Sequence, residues 1–210
     1  MSKRKTVPVA LGFKAARGGS VVVAVASDGR DPRVVLSTFL ATAEDGDRLS
    51  LEPYHVAYEM AHGARGIPAK AAAVVAEGRK RQEKLATTAL KDIVRRIEDA
   101  GFKSAVAALL INRAGWMSDL LEHALSAPEH RPVIEGLAVR DALRSAFRHC
   151  GMNVVELDEK SLQVEASRAL HSSIGAIDTR LKNAGASAGK PWRKEQKLAC
   201  LAAWLVVTAL

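Results

Sequence analysis

The sequence predicts an α/β fold: a five-stranded mixed sheet, opened by a three-strand antiparallel meander and continued by βαβ units, with helices on both faces. Three observations carry it. The first forty residues are Val- and Leu-rich runs cut by short Gly/Asp/Pro turns. A long stretch without proline, residues 69–100, then changes the apolar period from two to about 3.6. Behind it lies a short, almost wholly apolar run, Lys103–Ile111, of the kind buried on both faces of a sheet.

The elements follow in order. Val7–Phe13, Ser20–Ser27 and Arg33–Thr42 read as strands, separated by Ala16-Arg17-Gly18-Gly19 and by Asp28-Gly29-Arg30-Asp31-Pro32. Links this short force neighbouring strands antiparallel. From Tyr54 the period turns helical, and Leu85, Ala89, Ile93 and Ile97 share one face of the helix Ala69–Ala100, which Gly101 stops. Lys103–Ile111 is the fourth strand. A loop with Pro128 and Pro132 leads into a helix at Val133–His149, and Asn153–Leu157 is the fifth strand. Helical stretches at Glu159–Leu170 and Ile174–Asn183, a small-residue linker AGASAGKP, and a last helix Trp192–Ala209 complete the chain. Right-handed crossovers then place the first strand between the second and the fourth, with the fourth and fifth parallel to it.

Composition sets the class. The 210 residues suit one domain, 1–210, with 48% hydrophobic and 26% charged residues, the balance of a globular chain. Aromatics are only 4%, so small and β-branched side chains must build the core. A net charge of +8 favours anionic partners, nucleic acid among them. Cys150 and Cys200 lack metal-ligand spacing, which points to a reducing cytoplasm. The N-terminus MSKRKTVPV is basic without an apolar signal run, and the 13 residues after Lys197 (198–210) are too few to span a bilayer, so no membrane association is expected.

One motif is more specific. Residues 12–23 read G-F-K-A-A-R-G-G-S-V-V-V. This resembles the strand–glycine-turn–strand pattern G-x-D-G-x-[KR]-G-G-W of RuvC-type and resolvase-like members of the ribonuclease H-like superfamily, with Gly12, Arg17, Gly18 and Gly19 in register. The element order agrees, so the resemblance implies a ribonuclease H-like fold. It also implies a cleft where carboxylates from the first strand, the fourth strand and the last helix hold two divalent ions. Here the first-strand acid is replaced by Lys14, and the end of the fourth strand offers Asn112 followed by Arg113. The last helix keeps Glu195, with Leu198 where a further acid often stands. One carboxylate of three matches the pattern, so neither a tight divalent site nor a cofactor is expected. Lys14, Arg17, Arg113 and Lys194, with Asn112 and the backbone N–H groups of Gly18 and Gly19, are instead candidates for an anion site. Solvated turn residues are the plainer account of Lys14 and Arg17.

Other candidates stand beside it. His55, with Glu59 and His62, is an acid–base candidate or the solvated face of a short helix. His123, His130, Glu135 and Asp141 surround the proline-bearing loop in no metal-ligand pattern. Lys80, Lys84, Lys91 and Arg95 form a stripe about 22 Å long within an arc of about 60°. It suits a phosphate backbone or a plain solvated face, and Glu77 and Glu98 bracket it. Trp116, Trp192 and Trp204 are too dispersed for a base-stacking platform.

Three functions compete. The first is a diverged ribonuclease H-like protein that binds nucleic acid or a phosphate-bearing ligand without two-metal cleavage. The second is a nuclease or resolvase with rearranged acids drawn from Asp28, Asp31, Glu52, Glu135 and Glu195. The third is a partner-binding or homodimeric protein on the same fold. Any remaining catalysis would fall to Glu195, His55 or Glu135.

Overall fold

Strand β1 (Val7–Ala16) reverses through Arg17-Gly18 into β2 (Gly19–Ser27), so that Ala16 faces Gly19 and Lys14 faces Val21. Gly18 takes φ 72°, a left-handed conformation that a Cβ would strain. Strand β3 (Pro32–Ala41) runs back along β2, with Gly19 opposite Ala41. The computed structural model describes residues 7–27, 31–61, 69–112, 117 and 119–210. Beyond the meander lie α1 (Arg48–Leu51), α2 (Pro53–Ala61), α3 (Ala69–Asp99), β4 (Phe102–Ile111) and α4 (Leu120–Ser126). A 3-10 turn (Pro128–His130) leads into α5 (Arg131–His149) and β5 (Asn153–Asp158), followed by α6 (Leu162–Ala169), α7 (Ile174–Ala188) and α8 (Lys194–Val207).

The sheet order is β3-β2-β1-β4-β5, with β4 parallel to β1 and β5 parallel to β4. This is the mixed five-stranded sheet with a central first strand that short turns and long crossovers require.

Alternation along the strands divides the core. Val9, Leu11, Phe13, Val22 and Ala24 face α3 and α5, where Phe13 meets Phe147 edge-on at 4.8 Å. Ala10, Val21, Val23 and Val25 face α8, whose Trp204 is fully buried. Gly12 lies directly beneath Ala199 and Ala203, so α8 rests on the β1 backbone itself. A third cluster, with Tyr54, Ala57, Val75, Ile134 and Ala138, joins α2 and α4 to α3 and α5.

Several details differ from the sequence-based expectation. Helix α3 buries Ala86, Leu90, Ile93 and Ile97, while Leu85 and Ala89 only border the core. Its first half also buries Gly78 and Gln82: Gly78 lets Leu49 and Pro53 approach, and Gln82 Nε2 donates to Ser50 O at 2.8 Å. Polar and small residues thus seat α1 and the start of α2 against α3. The loop after β4 contains α4, capped by Asp119 through the N–H groups of Leu121 and Glu122. Helix α5 starts at Arg131, because Pro132 fits a first turn that needs no N–H. Helix α7 runs on through the expected linker to Ala188. Gly185 leaves room there for the Trp192 indole, whose Nε1 donates to Leu181 O at 3.0 Å. Helix α8 accordingly begins at Lys194, with Trp192 ahead of it. No helix among the described residues is long and apolar enough to cross a membrane.

Candidate anion-binding cavity

A cavity of about 640 Å³ opens between the β1–β2 turn, α2 and the start of α5. Arg17, Gly18, His55, Asn112 and Glu135 all line it, beside Glu52, Arg131 and Arg140. With Glu52, six residues singled out in the sequence are therefore brought together, from four separate parts of the chain.

Glu135 is the structural key. Helix α2 starts at Pro53, and the first N–H groups of a helix have no partner within it. Glu135 reaches across from α5, and its Oε1 accepts the N–H of Tyr54 at 2.9 Å and of His55 at 3.0 Å. Its Oε2 is buried and has no hydrogen-bond partner among the described residues. Burial pushes the Glu135 carboxyl up to about 7, against the pull of the two backbone N–H donors.

Arg131 holds the opposite wall. One of its amino groups donates to His55 Nδ1 at 2.8 Å, its Nε donates to Pro128 O at 2.9 Å, and its guanidinium lies 4.0 Å from the Tyr58 ring centre. A guanidinium only donates, so His55 Nδ1 accepts, and Nε2 carries the hydrogen facing Glu59 Oε1 at 3.1 Å. At the rim Arg48 binds Glu59 and Glu52, and Glu52 also meets Arg17 at 3.1 Å. The Arg48 guanidinium holds both carboxyls below their ordinary value.

Arg140 differs from these. It is 5% exposed, and its contacts are two backbone carbonyls, Leu110 O at 3.3 Å and Gly136 O at 3.4 Å. No carboxylate lies within ion-pair distance of it among the described residues, and burial lowers its pKa. Arg140 and Asn112 also line an adjoining cavity of about 900 Å³, where Asp141 is held by Arg79 and Arg144 at 2.9 Å each.

Lys14 stands apart from the cavity. Its side chain is 17% exposed, and Nζ lies 2.6 Å from Oε2 of Glu159, just past the end of β5. The Glu159 N–H donates to Ile111 O at 2.9 Å, so the pair closes over the carboxyl end of β4. Lys194 is exposed at the start of α8, beside the half-buried Glu195. Gly19, at the start of β2, packs against Leu40 O and the Phe39 ring of β3. The stripe Lys80, Lys84, Lys91 and Arg95 is exposed along α3, with Arg95 paired to Asp92 at 2.9 Å. Asp31 pairs with Arg180 at 3.3 Å, and His123 turns its Nδ1 to Asp119 O. Asp28, His62, Arg113 and Trp116 lie outside the described residues. Among the described residues no three His, Cys, Asp or Glu side chains are grouped to hold a metal ion.

Sequence reasoning missed Arg131, Arg140 and the partner of Lys14. Arg140 had a signal: a basic residue on the helical face that carries Val139, Leu143 and Phe147. Glu159 had none, because only the assembled sheet brings it to Lys14.

The architecture places the chain in one structural class, the ribonuclease H-like α/β fold. Solved structures similar to it include two of RuvC. Thermus thermophilus RuvC in complex with a Holliday junction substrate aligns over 96% of this chain and 94% of that one, with a TM-score of 0.50 and 11% identity. A second Thermus thermophilus RuvC structure aligns over 96% and 95% of the two chains, with a TM-score of 0.47 and 11% identity. No family model matches the sequence, and no curated protein does.

Proposed function

We propose that this chain is a diverged ribonuclease H-like protein that binds nucleic acid or another phosphate-bearing ligand without two-metal cleavage. The observation that carries the proposal is the ion pair of Lys14 with Glu159 at the carboxyl end of β1. Lys14 stands where the resolvase-like pattern has its first metal-binding acid. An ammonium about 4 Å from a divalent ion repels it by about 8 kcal/mol at an effective dielectric of about 20. Glu159 also neutralises Lys14, so this lysine is a closed part of the frame, and the net charge of +8 acts elsewhere. The exposed lysines of α3 and the arginines of the cavity are the cations available to phosphates. A junction-bound RuvC of the same fold supports nucleic acid as the partner class. The proposal takes residues 1–210 as one domain working in the cytoplasm.

The test is binding of labelled four-way junction, duplex and single-stranded DNA at two salt concentrations, with magnesium or manganese present. Intact DNA and an affinity falling steeply with salt are expected, since each phosphate contact releases a counterion. Reversing Lys80, Lys84 and Lys91 together should weaken binding more than Lys14→Met does. Cleavage that Glu195→Gln abolishes would restore the nuclease alternative. Absence of binding at low salt would leave the partner-binding alternative in its place.

A further inference from the structure

Two groups in the cavity have needs that the described protein does not meet. Arg140 is a buried guanidinium with no carboxylate at ion-pair distance among the described residues, and burying a charge is expensive unless an opposite charge joins it. Glu135 Oε2 is a buried carboxyl oxygen without a hydrogen-bond partner. A ligand that satisfies both brings negative charge to Arg140 and a hydrogen to share with Glu135.

That combination selects among oxyanions. A phosphodiester or an ionised carboxylate brings negative charge but no hydrogen, so it meets Glu135 only while that carboxyl holds its own proton. A terminal phosphate monoester loses its second proton near pH 6, so it supplies both charge and a shared proton around neutrality. We propose that this cavity binds a terminal phosphate monoester, with Arg140 as its buried counter-ion and Glu135 as its hydrogen-bonded partner. The proposal rests on the reading of the chain as a binder of phosphate-bearing ligands, and it names the group and the place.

Size and surroundings agree. About 640 Å³ is within the range of small-molecule sites and has room for a nucleotide. Arg131 and Arg17 add positive charge, while Ala15, Pro132 and Val139 form apolar wall. The charged and titratable groups around Glu135 are Tyr54 and His55 of α2, Glu52 ahead of α2, Arg17 of the turn, and Arg131 and Arg140 of α5. Glu52 is already engaged by Arg48 and Arg17. The Glu135 carboxyl, pushed up to about 7, retains a proton to share where an ordinary glutamate has none. Affinity should therefore fall as pH rises past about 7, when two negative groups would face each other.

The same monoester occurs on a free nucleotide and on the 5′ end of a strand, and the experiment separates these sources. The full chain is titrated with adenosine 5′-monophosphate, with a short single strand bearing a 5′-phosphate, and with the same strand ending in a 5′-hydroxyl. The phosphorylated strand should bind about tenfold more tightly or better than its hydroxyl counterpart. Arg140→Gln should erase that difference. Glu135→Gln should keep the difference and flatten its decline between about pH 6 and pH 8. Arg131→Gln, which changes a half-buried wall residue, is the second variant should Arg140→Gln not fold, and it should weaken monoester binding as well. Binding of the free nucleotide with no gain from a strand phosphate would support the site and assign it to free nucleotides. Equal affinity for both strands with no binding of the nucleotide would overturn the site while leaving nucleic-acid binding intact. A difference that persists in Arg140→Gln overturns the role of Arg140, and no binding of any probe overturns both proposals.

Discussion

Gly12→Val is expected to unfold the protein or nearly so, and Gly12→Ala to weaken it severely. A Cβ at position 12 would overlap the Ala199 carbonyl and press on the Ala203 nitrogen, both backbone atoms of α8. A helix backbone cannot swing aside as a side chain does, so α8 must lift or β1 must sink. Either movement opens the core, because β1 is the central strand and holds registers with β2 and β4 together. Overpacking of this kind costs about 3 kcal/mol or more, a large part of the stability of an ordinary domain. Urea denaturation followed by circular dichroism measures it. Gly175→Ala is the control, since nothing lies within 4 Å of its added Cβ and it sits in a helix. It should gain a few tenths of a kcal/mol. A Gly12→Ala protein as stable as the parent would show that α8 does not rest on β1.

The second large effect is a dependence of stability on pH. The carboxyl of Glu135 titrates at about 7 in the folded protein against an ordinary 4.5, so the folded state holds its proton more tightly than the unfolded state. Its contribution is complete below about pH 4.5 and is lost as pH rises through about 7. A rise of this size amounts to about 3 kcal/mol at most, less what the partly exposed site recovers from solvent. Glu135→Gln keeps an oxygen for the Tyr54 and His55 N–H groups and removes the titration. The variant should be the less pH-sensitive protein, gaining on the parent between about pH 5 and pH 8. Melting curves across that range decide the matter, and parallel curves for the two proteins would sink the prediction.

The sheet was legible in the sequence because its determinants are local. Short turns after Ala16 and Ser27 force antiparallel pairing, and the long α3 between β3 and β4 gives the crossover length that a parallel return needs. Local signals also pointed to the mouth of the candidate cavity, since Arg17 and Gly18 belong to a turn at the carboxyl end of the central strand. What was hidden depends on contacts between distant segments. Helix α1 and the start of α2 are seated by Gly78, Gln82 and Glu135, far along the chain from them. Lys14 and Arg17 are three residues apart in one hairpin, yet one joins Glu159 beyond β5 and the other joins Glu52 ahead of α2. Such a divergence is a property of the assembled chain.

The seat of α8 on Gly12 also bears on how the protein folds. The β1–β2 hairpin can form at once, because two residues close it, whereas α8 is the last element of the order and must find β1 across nearly the whole chain. Contacts so distant in sequence form slowly. Until α8 docks, Val21, Val23 and Val25 present a water-exposed apolar row on a paired strand. Such surface drives association between partly folded chains. Refolding should therefore lose yield as protein concentration rises, and the losses should be set by the time α8 takes to arrive.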